Sequence, residues 1–524
     1  MVKKLINLAK IDFAGNAGAG PGPTPAPSDD ADVVLRDYDG SVVATYTKEE
    51  FAALTELPTP PAHEGLTFQE WNWPLADAQA YCAQHGMVEF GATYITSDGN
   101  TRIYISLTNG RTTPTLTLGM QGSADISWGD GSNHETISGN VGERHSLSHS
   151  YSPGDYIITI TPIGDAIITI TGTSTGSELI SGDNNIVYAY NNSLKRIQIG
   201  RSVYLNDNAF NKCRSLQSIT IPQGLQNIPY YCFNDCTSLE AIILPYGMST
   251  VKSYGMLGCF EIKHCSLPSS LVTLEQYCFQ FCRGLTTIAI PEGLASIPQG
   301  CFHNCSALEF AIVPRSVTTI GASAFENCYG LKTITIPDNV TTLQDSTFKN
   351  CFILKDVHMS NNINAIGSNC FETCRTLEEI NIPLGVTQIR PSTFLYCSNL
   401  KYVIIPNGVI NIGTNAFQNC FSLKSAVIPN TVNTFNTNIF NRCYALCDDV
   451  NIPSGITSIP GNAFSECYGL KYIYVHNTTP PTITSYTFTG LAADAIIYVP
   501  AESVEAYKAA TNWSAQASKI QPMP

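Results

Sequence analysis

The chain has 524 residues, 44% of them hydrophobic and only 13% charged, with a formal net charge of −14. That acidic balance, without any cluster of Lys and Arg, argues against nucleic acid as the partner, because phosphate binding needs grouped basic side chains. No run of about 18 apolar residues exists to cross a membrane, and the length exceeds the roughly 100–200 residues of one ordinary domain.

Residues 1–30 open with Lys3, Lys4, Lys10 and Asp12, and only the five uncharged residues Leu5 to Ala9 lie between the basic groups. A secretory signal needs an apolar core of about 7–15 residues, so export by that route is not expected. The Gly/Pro-rich stretch Ala14 to Pro27 then reads as a linker. Residues 31–91 read as a small α+β module. Apolar residues alternate around Asp39-Gly40, which predicts a hairpin. Thr47-Lys-Glu-Glu50 predicts a capping box ahead of a short helix, and Trp73 to Cys82 predicts a second helix. The segment WNWPLADAQAY resembles the N-terminal part of tail-associated structural proteins of phages and prophages of gut bacteria. The resemblance implies that residues 1–91 attach to other virion proteins, with assembly in the bacterial cytoplasm.

Residues 92–175 read as all-β. Short strands are expected at Tyr94-Ile-Thr, Arg102 to Leu107, Thr115 to Leu118, Asp125 to Trp128 and Tyr156 to Thr161, separated by turn residues. Trp128-Gly-Asp130-Gly131 followed by His149-Ser-Tyr151 and Tyr156 resembles the polycystic-kidney-disease type of immunoglobulin-like domain, which implies a β-sandwich spacer. Asp130 is a conceivable calcium ligand, but an Asp-Gly turn is more often just a turn.

Residues 176–476 carry the dominant signal. Phe210, Phe233, Met256, Phe279, Phe302, Phe325, Phe348, Phe371, Phe394, Phe417 and Phe440 are each 23 residues apart, and Phe464 follows after 24. A period of about 20–29 residues with one short strand per unit is that of a leucine-rich-repeat solenoid. In the unit opened by Phe325, spacing of three through Cys328, Leu331 and Ile334 gives way to spacing of two at Ile336, which predicts a helical turn passing into a strand. Pro337 ends that strand, since proline has no N–H for the ladder. Ser360 and His476 replace the proline in two units, and one extra residue near Cys447 accounts for the 24-residue interval. Tyr188 to Ile199 reads as a degenerate first unit. The motif Leu400, Val403, Ile405-Pro406, Val409, Ile412-Gly413, Ala416-Phe417 and Cys420 resembles the BspA-like class of leucine-rich repeats. Residues 477–524, with Ile497-Tyr498-Val499-Pro500 and a short helix towards Trp513, are similar to the C-terminal cap of such arrays. The fold class expected is therefore mainly β: about twelve repeats, preceded by a β-sandwich and a small α+β module.

Twelve of the 19 cysteines, from Cys213 to Cys467, occupy the slot three residues after the aromatic. Neighbouring ladder positions lie about 4.8 Å apart, and a free Cys packs as a small hydrophobe, so a column of buried thiols is expected. Zinc would need its ligands gathered in one place. Cys278 and Cys301, on adjacent units, are the one pair placed for a disulfide, but free thiols are expected there too.

No GxSxG, HExxH or P-loop motif occurs and the histidines show no ligand spacing, so no enzyme, metal or cofactor is expected. Stacked repeats present a long surface, and the residues flanking each inward Ile of the strand form two outward columns. Those columns include Ile243, His264, Phe310, Ile312, Asp356, His358, Glu379, Asn381, Tyr402, Ile404, Tyr472 and Tyr474. Of these, Phe310, Asp356, His358, Glu379, Asn381, Tyr402, Tyr472 and Tyr474 are the candidate ligand-binding residues. Aliphatic members, and in part the aromatics, equally satisfy β-propensity. The BspA resemblance implies adhesion to a host cell-surface glycan or protein. Combined with the N-terminal resemblance it gives a tail-associated virion protein that recognises the host. The alternatives are a bacterial cell-surface adhesin and a passive virion decoration or scaffold protein.

Overall fold

The computed structural model describes residues 32–174, 176–182 and 192–524. Tyr188 and its neighbours in the expected first unit lie outside them.

The N-terminal module is a four-stranded sheet in the order β2-β1-β4-β3, built from β1 (Val33–Arg36), β2 (Val42–Tyr46), β3 (Leu66–Trp71) and β4 (Val88–Thr96). The expected hairpin forms, with β1 antiparallel to β2. Helix α1 (Lys48–Ala52) starts at Thr47, whose side chain accepts from Glu50 N while the Glu50 carboxylate accepts from Thr47 N, so two end donors are satisfied reciprocally. Helix α2 (Leu75–His85) begins after Pro74 and ends at Gly86 in the left-handed conformation, as a C-terminal glycine allows.

The next strands are β5 (Thr101–Leu107), β6 (Pro114–Ser127), β7 (Glu135–Ser148) and β8 (Gly154–Ile170). Strands form at Arg102 to Leu107 and Tyr156 to Thr161 as expected, but the two expected at Thr115 to Leu118 and Asp125 to Trp128 are one continuous strand, β6. Strand β7 was not expected, Tyr94-Ile-Thr belongs to β4 of the module, and the strands do not stack as two sheets. They form one sheet in which β6 pairs with β7 and β8, and β5 pairs with β8 on one edge and with the first solenoid strand, Leu194–Gln198, on the other. The immunoglobulin-like sandwich is thus replaced by a curled sheet that continues into the solenoid. Alternation marks a strand with one buried face but does not say what covers that face. Bending comes from a bulge at Gly122 (φ +93°), where a Cβ would lie 3.0 Å from Ala166. The residues that suggested a sandwich do meet: Trp128 stacks on the His149 ring at 4.7 Å, and the Tyr151 hydroxyl donates to Trp128 O at 2.9 Å. Asp130 is spent on this corner, held by Ser132 and by His149 at 2.7 Å, which keep its carboxyl below the usual range.

From Leu194 on, each repeat adds one parallel strand to a row, in register at 23-residue spacing, as in Tyr402↔Ser425, Val403↔Ala426 and Ile404↔Val427. The Phe rings stack along the axis, for example Phe325–Phe348 at 5.7 Å and Phe394–Phe417 at 5.3 Å, and the column runs on through Phe464 to Phe488 at 6.0 Å. Each ring is fully buried, contributing about 1.5–3 kcal/mol by transfer from water.

Around each Phe the structure has tight turns where a helical turn was expected. The reason is a residue at positive φ on each side, such as Ser323 (φ 55°) and Asn327 (φ 62°) about Phe325. Left-handed residues cannot propagate a helix, and Asn tolerates that conformation best. The cysteine column has a specific task. From Cys236 to Cys467 each ladder thiol donates to the carbonyl of the Phe, or for Cys282 of Met256, one repeat earlier, at 3.1–3.3 Å. Alanine would fill the space but leave that contact unmade. Cys278 and Cys301 lie Sγ to Sγ at 3.4 Å without a bond, and every cysteine is a free thiol, buried except Cys447.

The C-terminal end is closed by Ile496–Val499, parallel to Tyr472–Val475, and by Ile520–Pro522, parallel to it in turn. A short helix (Val504–Ala509) packs there with Trp513, whose indole N–H donates to Pro481 O at 2.7 Å. One apolar core runs without a break from Ile103 to Ile520.

Candidate functional site

The two outward columns lie on one strand face, and the structure divides that face. Over the front repeats it is covered by the N-terminal module. Strand β4 and helix α2 lie against the strands at Ser218–Thr220, Ala241–Ile243, His264–Ser266 and Thr287–Ala289. Closeness is set by Gly91, where a Cβ would lie 2.5 Å from Ile243 Cδ1. Three donors seal the seam. Asn72 Nδ2 donates to Leu244 O (2.9 Å) and Ser266 O (3.2 Å), Trp73 Nε1 to Leu267 O (2.6 Å), and the Tyr81 hydroxyl to Ile290 O (2.9 Å).

Charge is paired across the same seam. Glu89 accepts from Arg36 Nε at 2.6 Å, and His264 Nδ1 lies 3.3 Å from the same oxygen. Burial alone would raise the Glu89 carboxyl, yet His264 and Arg36 outweigh it and hold the group below its ordinary range. Glu292 accepts from Gln84 Nε2 at 2.7 Å and lies 2.6 Å from His85 Nε2. Its carboxyl is lowered in the same way, against a burial effect of opposite sign.

The consequence for the sequence expectations is direct. Ile243 (3% exposed) and Ile312 (3%) are buried, Ile312 within the core of the module, and His264 is paired to Glu89. Phe310 is buried as well, with Lys332 Nζ 5.3 Å from its ring centroid. These four are interior contacts of the folded chain rather than free positions.

Behind the module the face is open. Asp356, His358, Glu379, Asn381 and Ile404 are exposed, and Tyr402 is half-buried. Thr333 aligns with Asp356, Thr335 with His358 and Glu379 with Tyr402, so both columns stay in register. Beside them Glu378 binds Lys401 at 2.5 Å. At the far end Tyr472 is exposed and Tyr474 half-buried, and the ring of Tyr498 stacks on both, at 6.1 and 4.9 Å. Tyr498 belongs to this cluster although its segment reads as a cap. Its place was legible in Ile497-Tyr498-Val499-Pro500, which repeats the strand-then-proline order of the units 24 residues after Tyr474.

A second aromatic row follows the ladder cysteines. Tyr329 stacks on Phe352 at 4.6 Å with Arg375 over that ring, and Phe421, Tyr444 and Tyr468 stack at 5.1 and 5.4 Å. It lies on the turns rather than the strand face, and the Tyr468 hydroxyl donates to Glu466 Oε2 at 3.2 Å.

Thiols offer no chemistry here. Burial pushes Cys213 and Cys467 up to about 12 and the rest of the column upward too, so thiolate is scarce at neutral pH. No group of His, Cys, Asp and Glu suited to a metal ion occurs among the described residues, and no helix among them is long and apolar enough to cross a membrane.

Solved structures with similar architecture include a leucine-rich repeat protein from Bacteroides ovatus ATCC 8483 (21% identity, 72% of this chain and 90% of that one, TM-score 0.47). Others are a leucine rich cell surface protein from Faecalibacterium prausnitzii A2-165 (23% identity, 68% and 94%, TM-score 0.40) and the pneumococcal vaccine antigen PcpA (17%, 58% and 84%, TM-score 0.33). No curated protein gives a significant match. Residues 203–332, 318–447 and 444–511, together more than half of the chain, match the BspA type leucine rich repeat region. The stacked Phe and Cys columns and the parallel strands agree with that match, and the chain belongs to that family of repeat proteins.

Proposed function

We propose that this is a non-enzymatic adhesion protein that engages a cell-surface ligand through the open rear part of its strand face. The observation that carries the reading is the division of that face. The front is filled by the chain's own module, and the rear keeps acidic and amide side chains and a tyrosine cluster turned outward. Aromatic side chains near polar groups are typical anchors of recognition surfaces.

Between the settings considered, a bacterial cell surface fits this arrangement better than a virion. A virion role needs residues 1–91 free to attach to other particle proteins. Here Asn72, Trp73, Tyr81, Glu89 and Gly91 are engaged with the solenoid, so among the described residues 32–91 such a contact falls to the side of the module away from it.

The test is attachment to candidate target cells. Replacing Tyr402, Tyr472 and Tyr474 together with Ser should weaken binding by about 1–2 kcal/mol or more per anchor, while Tyr329, Tyr444 and Tyr468→Ser should leave it unchanged. If the second set abolishes attachment and the first does nothing, the turn row is the interface; if neither matters, adhesion through the solenoid is wrong.

A further inference from the structure

Proline at the strand exit ends the strand and also removes a donor from the next one. In a parallel ladder the carbonyl just before the proline faces the N–H one repeat and one position further on. In most units that position is itself proline: Pro268 stands opposite Leu244 O, Pro291 opposite Leu267 O and Pro314 opposite Ile290 O. Two units without the proline show where these carbonyls aim, His476 N donating to Ile452 O at 3.4 Å and Met523 N to Val499 O at 2.9 Å, whereas Ser360 N makes no such bond to Ile336 O. A backbone acceptor without a partner is costly wherever water is kept away.

On the front repeats the missing donors come from the module. Asn72 Nδ2, Trp73 Nε1 and the Tyr81 hydroxyl reach Leu244 O, Leu267 O and Ile290 O, three consecutive members of one row. Residues 72–81 thus act as a comb of side-chain donors cut to the pitch of the repeats, with Trp73 and Tyr81 each 2% exposed. Further back the same row continues at Met359, Ile382 and Ile405, opposite Pro383, Pro406 and Pro429. Among the described residues no donor reaches those three carbonyls.

We propose that the strand-exit carbonyls of the rear repeats that face a proline one repeat on form a docking rail for a protein partner that presents Trp, Tyr, Asn or Gln side-chain donors at the repeat spacing. This deepens the adhesion reading and rests on it. A polypeptide is favoured over a sugar because the interface the module makes on the same row, further forward along the solenoid with two members of the row between, is made by polypeptide. There the donors are carried on buried aromatic rings as well as on an amide.

The row is tested by giving the carbonyls a donor from within the chain. Pro383→Ala, Pro406→Ala and Pro429→Ala, combined in the full-length protein, supply the missing N–H groups without altering any outward side chain. A displayed library of random peptides and a panel of immobilised saccharides serve as probes. Peptides selected on the unaltered chain should be rich in the named donors and should bind the triple variant at least ten-fold more weakly, with its new amides at 406 and 429 protected from hydrogen exchange. Equal binding to both proteins overturns the rail, as does a loss of binding without amide protection. Binding of saccharides alone, lost on Tyr402, Tyr472 and Tyr474→Ser, removes the rail and leaves adhesion standing; binding of neither probe removes both. A ligand-free arm uses Trp73→Phe and Tyr81→Phe, which keep rings but delete donors. Exchange across Val88–Thr96 should then rise about five-fold per lost bond, and an unchanged rate would deny that the comb holds the module.

Discussion

The front and rear of the strand face are made of the same repeat, yet they meet different surroundings. In front, small and apolar outward residues such as Ala241, Ile243 and Ile312 accept a folded module with glycines at its contact points. Behind, outward Asp356, Glu379, Asn381 and the tyrosines face solvent or only one another. The lesson is that the identity of the two outward residues decides whether a unit is covered in cis or left open, since the inward Leu, Ile, Phe and Cys hardly vary along the array.

The largest effect should come from a change that ignores this division. Phe348→Ala removes a fully buried ring stacked between Phe325 and Phe371, and a loss of about 3–5 kcal/mol is expected, read as a lower urea midpoint. Because the core is continuous, front and rear should unfold together; separate transitions would show that they are independent units.

A change aimed at the front alone should be smaller. Gly91→Val thrusts a branched side chain into Ile243, and overpacking costs about 1–3 kcal/mol. Hydrogen exchange should rise in Val88–Thr96 and Ala241–Ile243 while Tyr402–Ile404 stays as it was. Exchange unchanged in front would mean that the module does not rest on Ile243.

Acid should distinguish the halves in the same direction. Glu89 and Glu292 are held below their ordinary range in the docked state. Their contribution is therefore fully present above the usual carboxylate pKa of about 4.3 and is lost as pH falls through the lower docked value. Glu292 is partly exposed, so solvent screening makes it the weaker of the two. Docking of the module should loosen below about pH 4, while the solenoid core, whose apolar columns carry no such pair, persists. A module whose docking is unchanged between about pH 5 and pH 3 would contradict the pairing.

The thiol column should alter nothing at neutral pH. Native protein is expected to show one fast thiol, Cys447, and to release the other 18 of its 19 only on unfolding without reductant. Fewer labelled thiols would mean disulfides in the purified chain.

Much of this architecture was legible from the sequence. The 23-residue interval, the proline stops, the Asp39-Gly40 hairpin and the Thr47–Glu50 box are local signals, and each governs a structure built from neighbours or from the next repeat. The division of the strand face was not legible. Asn72 and Leu244 are 172 residues apart, and Tyr81 and Ile290 are 209 apart, so no local pattern links them. Ile243 and Ile312 read as ordinary β-formers, and Trp73 only as the start of a helix. The sandwich expectation failed for a related reason: alternation in 101–170 shows which residues turn inward but not that the first solenoid strand pairs with the free edge of β5.

Hydroxyl-radical footprinting of the intact chain at neutral pH tests the divided face most directly, because it needs no ligand and reads aromatic exposure residue by residue. The account predicts rapid oxidation of Tyr472 and measurable oxidation of Tyr402 and Tyr498, with Trp73, Tyr81 and Phe310 protected. Oxidation of Trp73 and Tyr81 as fast as that of Tyr472 would mean that the module does not cover the front repeats, and would contradict the account at its centre.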